Sequence, residues 1–87
     1  APGKVYDGLI SGVTEWGLYV ELIETKVEGM IRLADMDDDY YECDEKNYCV
    51  VGRRTRKIYT LGDQVRVKVK KTDIDRRLID LVLAKSK

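Results

Sequence analysis

Residues 64–70 read Gln-Val-Arg-Val-Lys-Val-Lys, and alternation this strict fits a half-buried strand. Side chains alternate between the faces of a strand, so Val65, Val67 and Val69 share one face and Gln64, Arg66, Lys68 and Lys70 the other. Such a strand belongs to a sheet with one covered side and one wet side. The pattern recurs where Leu18, Val20 and Leu22 interleave with Tyr19 and Glu21. A further run, Leu78–Leu83, places Ile79, Leu81 and Leu83 inward. No segment of ten or more residues shows helical periodicity.

The other elements follow from local signals. Lys4–Val13 carries Val5, Leu9, Ile10 and Val13 with Gly8 and Gly12, which predicts a first strand bent at a glycine. Gly17 suits a bend or a bulge before the second strand, Leu18–Leu22. Gly29–Arg32 reads as a short third strand with Arg32 outward, and Leu33–Met36 as a single helical turn. Asp37–Lys46 is an acidic loop holding Tyr40 and Tyr41. Tyr48–Val51 and Arg56–Tyr59 flank a turn led by Gly52, the signature of an added hairpin. Leu61-Gly62-Asp63 is a turn, Asp73–Arg77 a charged turn, and Ala84–Lys87 a basic tail. The expected fold is all-β: a five-stranded, closed or nearly closed barrel with an acidic loop and β-hairpin inserted between its third and fourth strands. Closure removes sheet edges that would invite aggregation.

With 87 residues the chain is expected to form a single domain, its core within residues 3–84. No stretch approaches the ~20 apolar residues of a membrane helix. The start, Ala1-Pro2-Gly3-Lys4, has no secretory pattern and reads as the edge of a piece of a longer chain. Cys43 and Cys49 are too few for a disulfide scaffold, and the chain has no His to complete a zinc site, so two reduced thiols in a cytoplasmic protein are expected. The net charge of zero hides two poles. Residues 35–45 hold seven acids and no base, whereas residues 53–71 hold eight bases and one acid. Local potential rather than total charge steers a polyanion.

Catalytic constellations fail one by one. Ser11 and Ser86 have no obvious base. Asp35, Asp37 and Asp39 copy the first three offsets of a calcium loop, but Tyr40 stands where glycine is required and Lys46 where a bidentate Glu is needed. There is no P-loop. The chain is expected to be non-catalytic and to hold no cofactor.

A binding constellation is better supported. Trp16 and Tyr19, three residues apart across Gly17, form an outward aromatic pair if a bulge at Gly17 turns both rings to one face. Rings on a wet face stack on bases, each worth ~1–3 kcal/mol. Packing offers a competing explanation, since aromatics are common in strands. Arg32, Asp73 and Arg77 are placed to join the same face, with Asp73 holding Arg77 or accepting from a base edge. Arg53, Arg54, Arg56 and Lys57 are candidates for auxiliary contacts to RNA or to another domain.

These residues bring a family into view. Gly8, Ile10, Trp16-Gly17, Tyr19-Val20, Gly29-Met30-Ile31, Leu61-Gly62-Asp63, Asp73 and Arg77 resemble the motif of the S-one-type RNA-binding domain, an OB-fold barrel. The resemblance implies RNA contacts at Trp16 and Tyr19, where the family usually has phenylalanines, at Arg32, where histidine is common, and at Asp73 and Arg77. Asp38-Asp39-Tyr40-Tyr41, Gly52, Tyr59–Asp63 and Arg77–Leu81 are similar to the C-terminal domain of the ribonuclease R and ribonuclease II group. That implies a C-terminal fragment of a longer bacterial enzyme. Its partners would be single-stranded RNA, clamped and guided 3′ end first, and the parent's other domains, with no membrane. Magnesium would belong to a separate catalytic domain. A module of polynucleotide phosphorylase or a translation factor is an alternative, disfavoured by the long middle insertion. A protein-interaction barrel docking through its acidic loop is an alternative of another class.

Overall fold

In the computed structural model, which describes residues 4–73 and 78–84, the alternating runs become strands. They are β1 (Val5–Val13), β2 (Gly17–Leu22), β3 (Glu28–Arg32), β4 (Tyr41–Asp44), β5 (Cys49–Gly52), β6 (Ile58–Thr60), β7 (Gln64–Asp73) and β8 (Leu78–Leu83). A single 3-10 turn, Leu33–Asp35, follows β3. Strands β1-β2-β3-β8-β7 form a closed barrel. Its pairings are antiparallel except β3 with β8, which run parallel.

Alternation places the core as expected. Leu18, Val20, Ile31, Val67 and Leu81 are completely buried and Ile10 nearly so. Val69, Ile79 and Leu83 pack against this cluster from its edge. Burial of one such side chain contributes ~1.5–3 kcal/mol.

The insertion differs from expectation. Tyr41–Asp44 is a strand, not part of a loop, so the acidic loop and hairpin become a three-stranded antiparallel sheet in the order β4-β5-β6. Charge dominates the local sequence, but Tyr41 and Cys43 still alternate with Glu42 and Asp44. Tyr41, Cys43, Val50 and Tyr59 pack with the barrel core, and Val50 is completely buried. The Tyr41 and Tyr59 rings meet at 5.7 Å, tilted by 56°. Backbone bonds fasten the turn after β6 to the barrel: Gly62 N–H donates to the Ile10 carbonyl at 2.9 Å, and Ile10 N–H to the Asp63 carbonyl at 2.9 Å.

The bulge also lies elsewhere than expected. Gly17 pairs in regular register with Arg32, and the irregularity falls between Ile10 and Gly12, where Ser11 is the extra residue. Gly17 is needed for close approach instead. A Cβ there would strike the Ile31 carbonyl oxygen and lie 2.9 Å from Met30 Cε.

Candidate nucleic-acid interface

The register of β2 decides which side chains face water. With Leu18, Val20 and Leu22 inward, Tyr19 turns outward near the middle of the barrel wall. Its neighbours across the strands are Gly12 on β1 and Met30 on β3. The Tyr19 ring covers Gly12 so closely that a Cβ there would lie 3.2 Å from Tyr19 Cδ2. The ring therefore lies against the Gly12 backbone on one side, with Met30 as its register neighbour on the other.

Trp16 sits beside this surface in the β1–β2 turn. The Thr14 hydroxyl accepts from the N–H groups of Trp16 at 3.2 Å and Gly17 at 3.1 Å, and donates to the Gly17 carbonyl at 3.0 Å. Leu33 N–H donates to the Trp16 carbonyl at 3.0 Å. The backbone is held on both sides while the Trp16 residue remains 72% exposed. A bulky ring held in water by a fixed turn has no packing role to fill.

Arg32 ends β3 directly opposite Gly17. Its Nη2 lies 3.8 Å from Asp80 Oδ1, a loose pair with the Arg32 side chain 53% exposed. Asp80 is the β8 partner of Met30, so it too belongs to this face. Trp16, Tyr19 and Arg32 are thus brought together. Asp73 ends β7, paired with Leu78 of β8, and its backbone alone is described. Arg77 lies outside the described residues.

Met30, Asp80 and Gly12 are the contributors that the sequence reading missed. Alternation with Arg32 marks Met30 as outward. Asp80 is visible only once β8 is known to run parallel beside β3.

The two charge poles are folded onto each other. Asp35 pairs with Lys70 at 3.1 Å, Asp38 with Lys57 at 3.2 Å, and Glu42 with Arg53 at 3.6 Å. Asp39 does something else with its carboxylate. It accepts from the N–H groups of Tyr40 and Thr55 and the hydroxyl of Thr55, each at 2.7 Å, and from Arg54 N–H at 3.0 Å. Desolvation opposes ionisation of Asp39, but these donors outweigh it and hold the carboxyl well below its usual range. Of the three calcium-like offsets, Asp35 and Asp39 therefore serve separate structural partners. The same engagements leave fewer free carboxylates for docking a basic protein. The hydrogen bond to Asp38 pushes the Lys57 ammonium up. Desolvation by burial likewise raises the thiols of Cys43 and Cys49, both free, which keeps them protonated and poorly nucleophilic.

A closed five-stranded barrel of this topology, with rings and a guanidinium on its outer wall, defines an OB-fold module built for nucleic acid. Residues 1–83 match the S1 RNA binding domain, and the chain belongs to that family. It is 36% identical to Ribonuclease R of Escherichia coli strain K12 over 84 residues, which are 97% of this chain and 10% of that protein. It is 37% identical to the acetazolamide conferring resistance protein zam of Synechocystis over 79 residues, 91% of this chain and 10% of that protein. The chain thus spans about a tenth of the length of these relatives. Mycoplasma genitalium RNase R superposes with a TM-score of 0.88 at 28% identity, over 95% of this chain and 13% of that one. The same likeness holds for that protein in complex with ribose methylated single-stranded RNA.

Proposed function

We propose that this chain is the single-stranded-RNA clamp of a ribonuclease R-like 3′–5′ exoribonuclease. It holds RNA on the barrel wall and guides the 3′ end to a catalytic domain elsewhere in a longer cytoplasmic enzyme. The observation that carries this reading is the outward pair Trp16 and Tyr19, one ring set in water on a fixed turn and the other laid over Gly12, with Arg32 beside them. The likeness to an RNase R solved with single-stranded RNA supports it. Bases stack on the rings, and the guanidinium takes a phosphate or stacks on a base plane. Stacking reads no hydrogen-bond pattern, so selectivity among bases is weak.

The clamp itself performs no hydrolysis. The carboxylates at Asp35, Asp38 and Asp39 are committed to Lys70, Lys57 and the turn at residues 53–57, an arrangement that does not fit a magnesium site. Magnesium belongs to the parent's catalytic domain. The test compares Trp16→Ala/Tyr19→Ala with wild type for binding of an RNA of about 12 nucleotides. Affinity should fall by ~1–3 kcal/mol per lost stacking contact with melting temperature nearly unchanged. A parallel loss of stability would make the rings part of the fold and overturn the reading.

A further inference from the structure

The inserted sheet has two faces, and only one is used by the fold. Tyr41, Cys43, Val50 and Tyr59 point to the barrel. Alternation sends Glu42, Val51 and Ile58 the other way, along one row of register, and Tyr40 immediately precedes β4. Tyr40 is 75% exposed and Ile58 58% exposed. Arg53 follows Gly52 at the end of β5, and its N–H donates to the Tyr40 carbonyl at 2.9 Å, so the basic turn starts directly against the ring's backbone. Arg53, Arg54 and Arg56 are all exposed. Arg54 and Arg56 have no ion-pair partner among the described residues, and Arg53 has only the 3.6 Å contact to Glu42, with both groups about two-thirds or more in water. Lys57 differs, being held by Asp38.

We infer that this solvent face is a second contact site for single-stranded RNA, in which Tyr40 stacks on a base and Arg53, Arg54 and Arg56 take neighbouring phosphates. The inference rests on the RNA-binding reading of the barrel wall and extends it. Guanidinium groups bind phosphate bidentately, and an exposed tyrosine among them matches the alternation of base and phosphate in a single strand. Asp39 is the positioning residue. Its single carboxylate gathers Tyr40, Arg54 and Thr55, fixing the ring's backbone relative to the arginine turn. Gly52 is required at the same point, since a Cβ there would lie 2.5 Å from Asp39 Oδ2. The longest extent of the molecule is 32 Å, which sets the scale of the oligomer needed to test both faces at once.

The test uses the full chain with two oligomers, one of about 5 and one of about 14 nucleotides, near the ends of the range an OB fold covers. Arg54→Glu/Arg56→Glu should weaken binding of the long oligomer about tenfold and leave the short one unchanged. The slope of log affinity against log salt should shrink by roughly 1.4 for the long oligomer, two contacts at about 0.7 each. Tyr40→Ala should weaken the long oligomer alone, and so should Asp39→Asn, although it keeps every arginine. Trp16→Ala/Tyr19→Ala should weaken both lengths, so failure of the barrel reading shows separately in the short oligomer. Amide signals of barrel residues check that each variant is folded. Wild-type affinity and salt slope for the long oligomer in the charge-reversal variant overturn the second site. So do amides of residues 53–57 that do not move with RNA, an outcome that assigns the turn to a protein partner.

Discussion

The barrel wall and the inserted sheet present the same kinds of group to water, rings beside guanidinium groups, but hold them by different physics. On the wall, Tyr19 and Arg32 are placed by strand register over a core of completely buried Leu18, Val20, Ile31 and Leu81. On the inserted sheet, Tyr40 and the arginine turn are gathered by hydrogen bonds to one ionised carboxylate, Asp39. Burial is indifferent to pH and nearly so to salt, whereas a carboxylate latch is sensitive to pH. The wall is therefore the constant surface and the inserted sheet the adjustable one.

The largest effect tests whether the two regions fold together. Leu81→Ala at the centre of the barrel should cost ~2–5 kcal/mol. Val50→Ala in β5 should cost ~1.5–3 kcal/mol, because Val50 belongs to the same buried cluster. Both should move one cooperative melting transition. A separate early transition in Val50→Ala would mean that the sheet folds on its own account, and the comparison would then be between two independent units.

A smaller effect isolates the wall's geometry. Gly12→Ala adds a Cβ 3.2 Å from Tyr19 Cδ2, so the ring must tilt by a few tenths of an ångström. RNA affinity should fall by up to ~1 kcal/mol, a part of one stacking contribution, with melting temperature little changed. An unaltered affinity would show that Tyr19 is not in contact with a base.

The pH dependence separates the regions without mutation. Asp39 has its folded carboxyl below the ordinary value of 3.8, so its contribution is full above that value and erodes as pH falls through and below it. Tyr41 behaves oppositely. Burial, then the 3.0 Å hydrogen bond it donates to Asp38, lift its phenol above the ordinary value of 10.0, so its contribution is present below pH 10.0 and is lost as pH rises further. Amide signals of Arg54 and Thr55 should shift on acidification before those of Val20 and Ile31, and Asp39→Asn should remove that difference. Tyr41→Phe should flatten the alkaline loss followed by near-ultraviolet dichroism.

This contrast also explains what was legible in the sequence. The wall was readable because period-two alternation at residues 18–22 and 64–70 reports burial directly. Tyr19 faces outward for that reason, whereas Trp16, expected to turn outward through a bulge at Gly17, is exposed from the β1–β2 turn instead. Asp80 was not legible, because a parallel pairing between β3 and β8 is a long-range event with no local signal. The inserted strand β4 was hidden by its acids. Asp39 looked like one charge among seven, and its role depends on Arg54 and Thr55, fifteen and sixteen residues away. The expected bulge at Gly17 failed for a related reason: a glycine marks either a free backbone angle or a close approach, and only the packed neighbours Ile31 and Met30 tell which.

The smallest expected effect bears most directly on the adjustable surface. Glu42 faces Arg53 at 3.6 Å with both side chains well exposed, and such pairs contribute ~0–1 kcal/mol. Glu42→Gln should therefore leave the melting temperature within experimental scatter of wild type. It should nonetheless tighten binding of a long single-stranded RNA, because it removes a carboxylate that competes with phosphate for Arg53. The gain should be largest at low salt and vanish as ions screen the face. An affinity that is unchanged, or that falls, would mean that Arg53 needs Glu42 to hold its orientation. The inserted sheet would then depend on ion pairing as well as on the Asp39 latch.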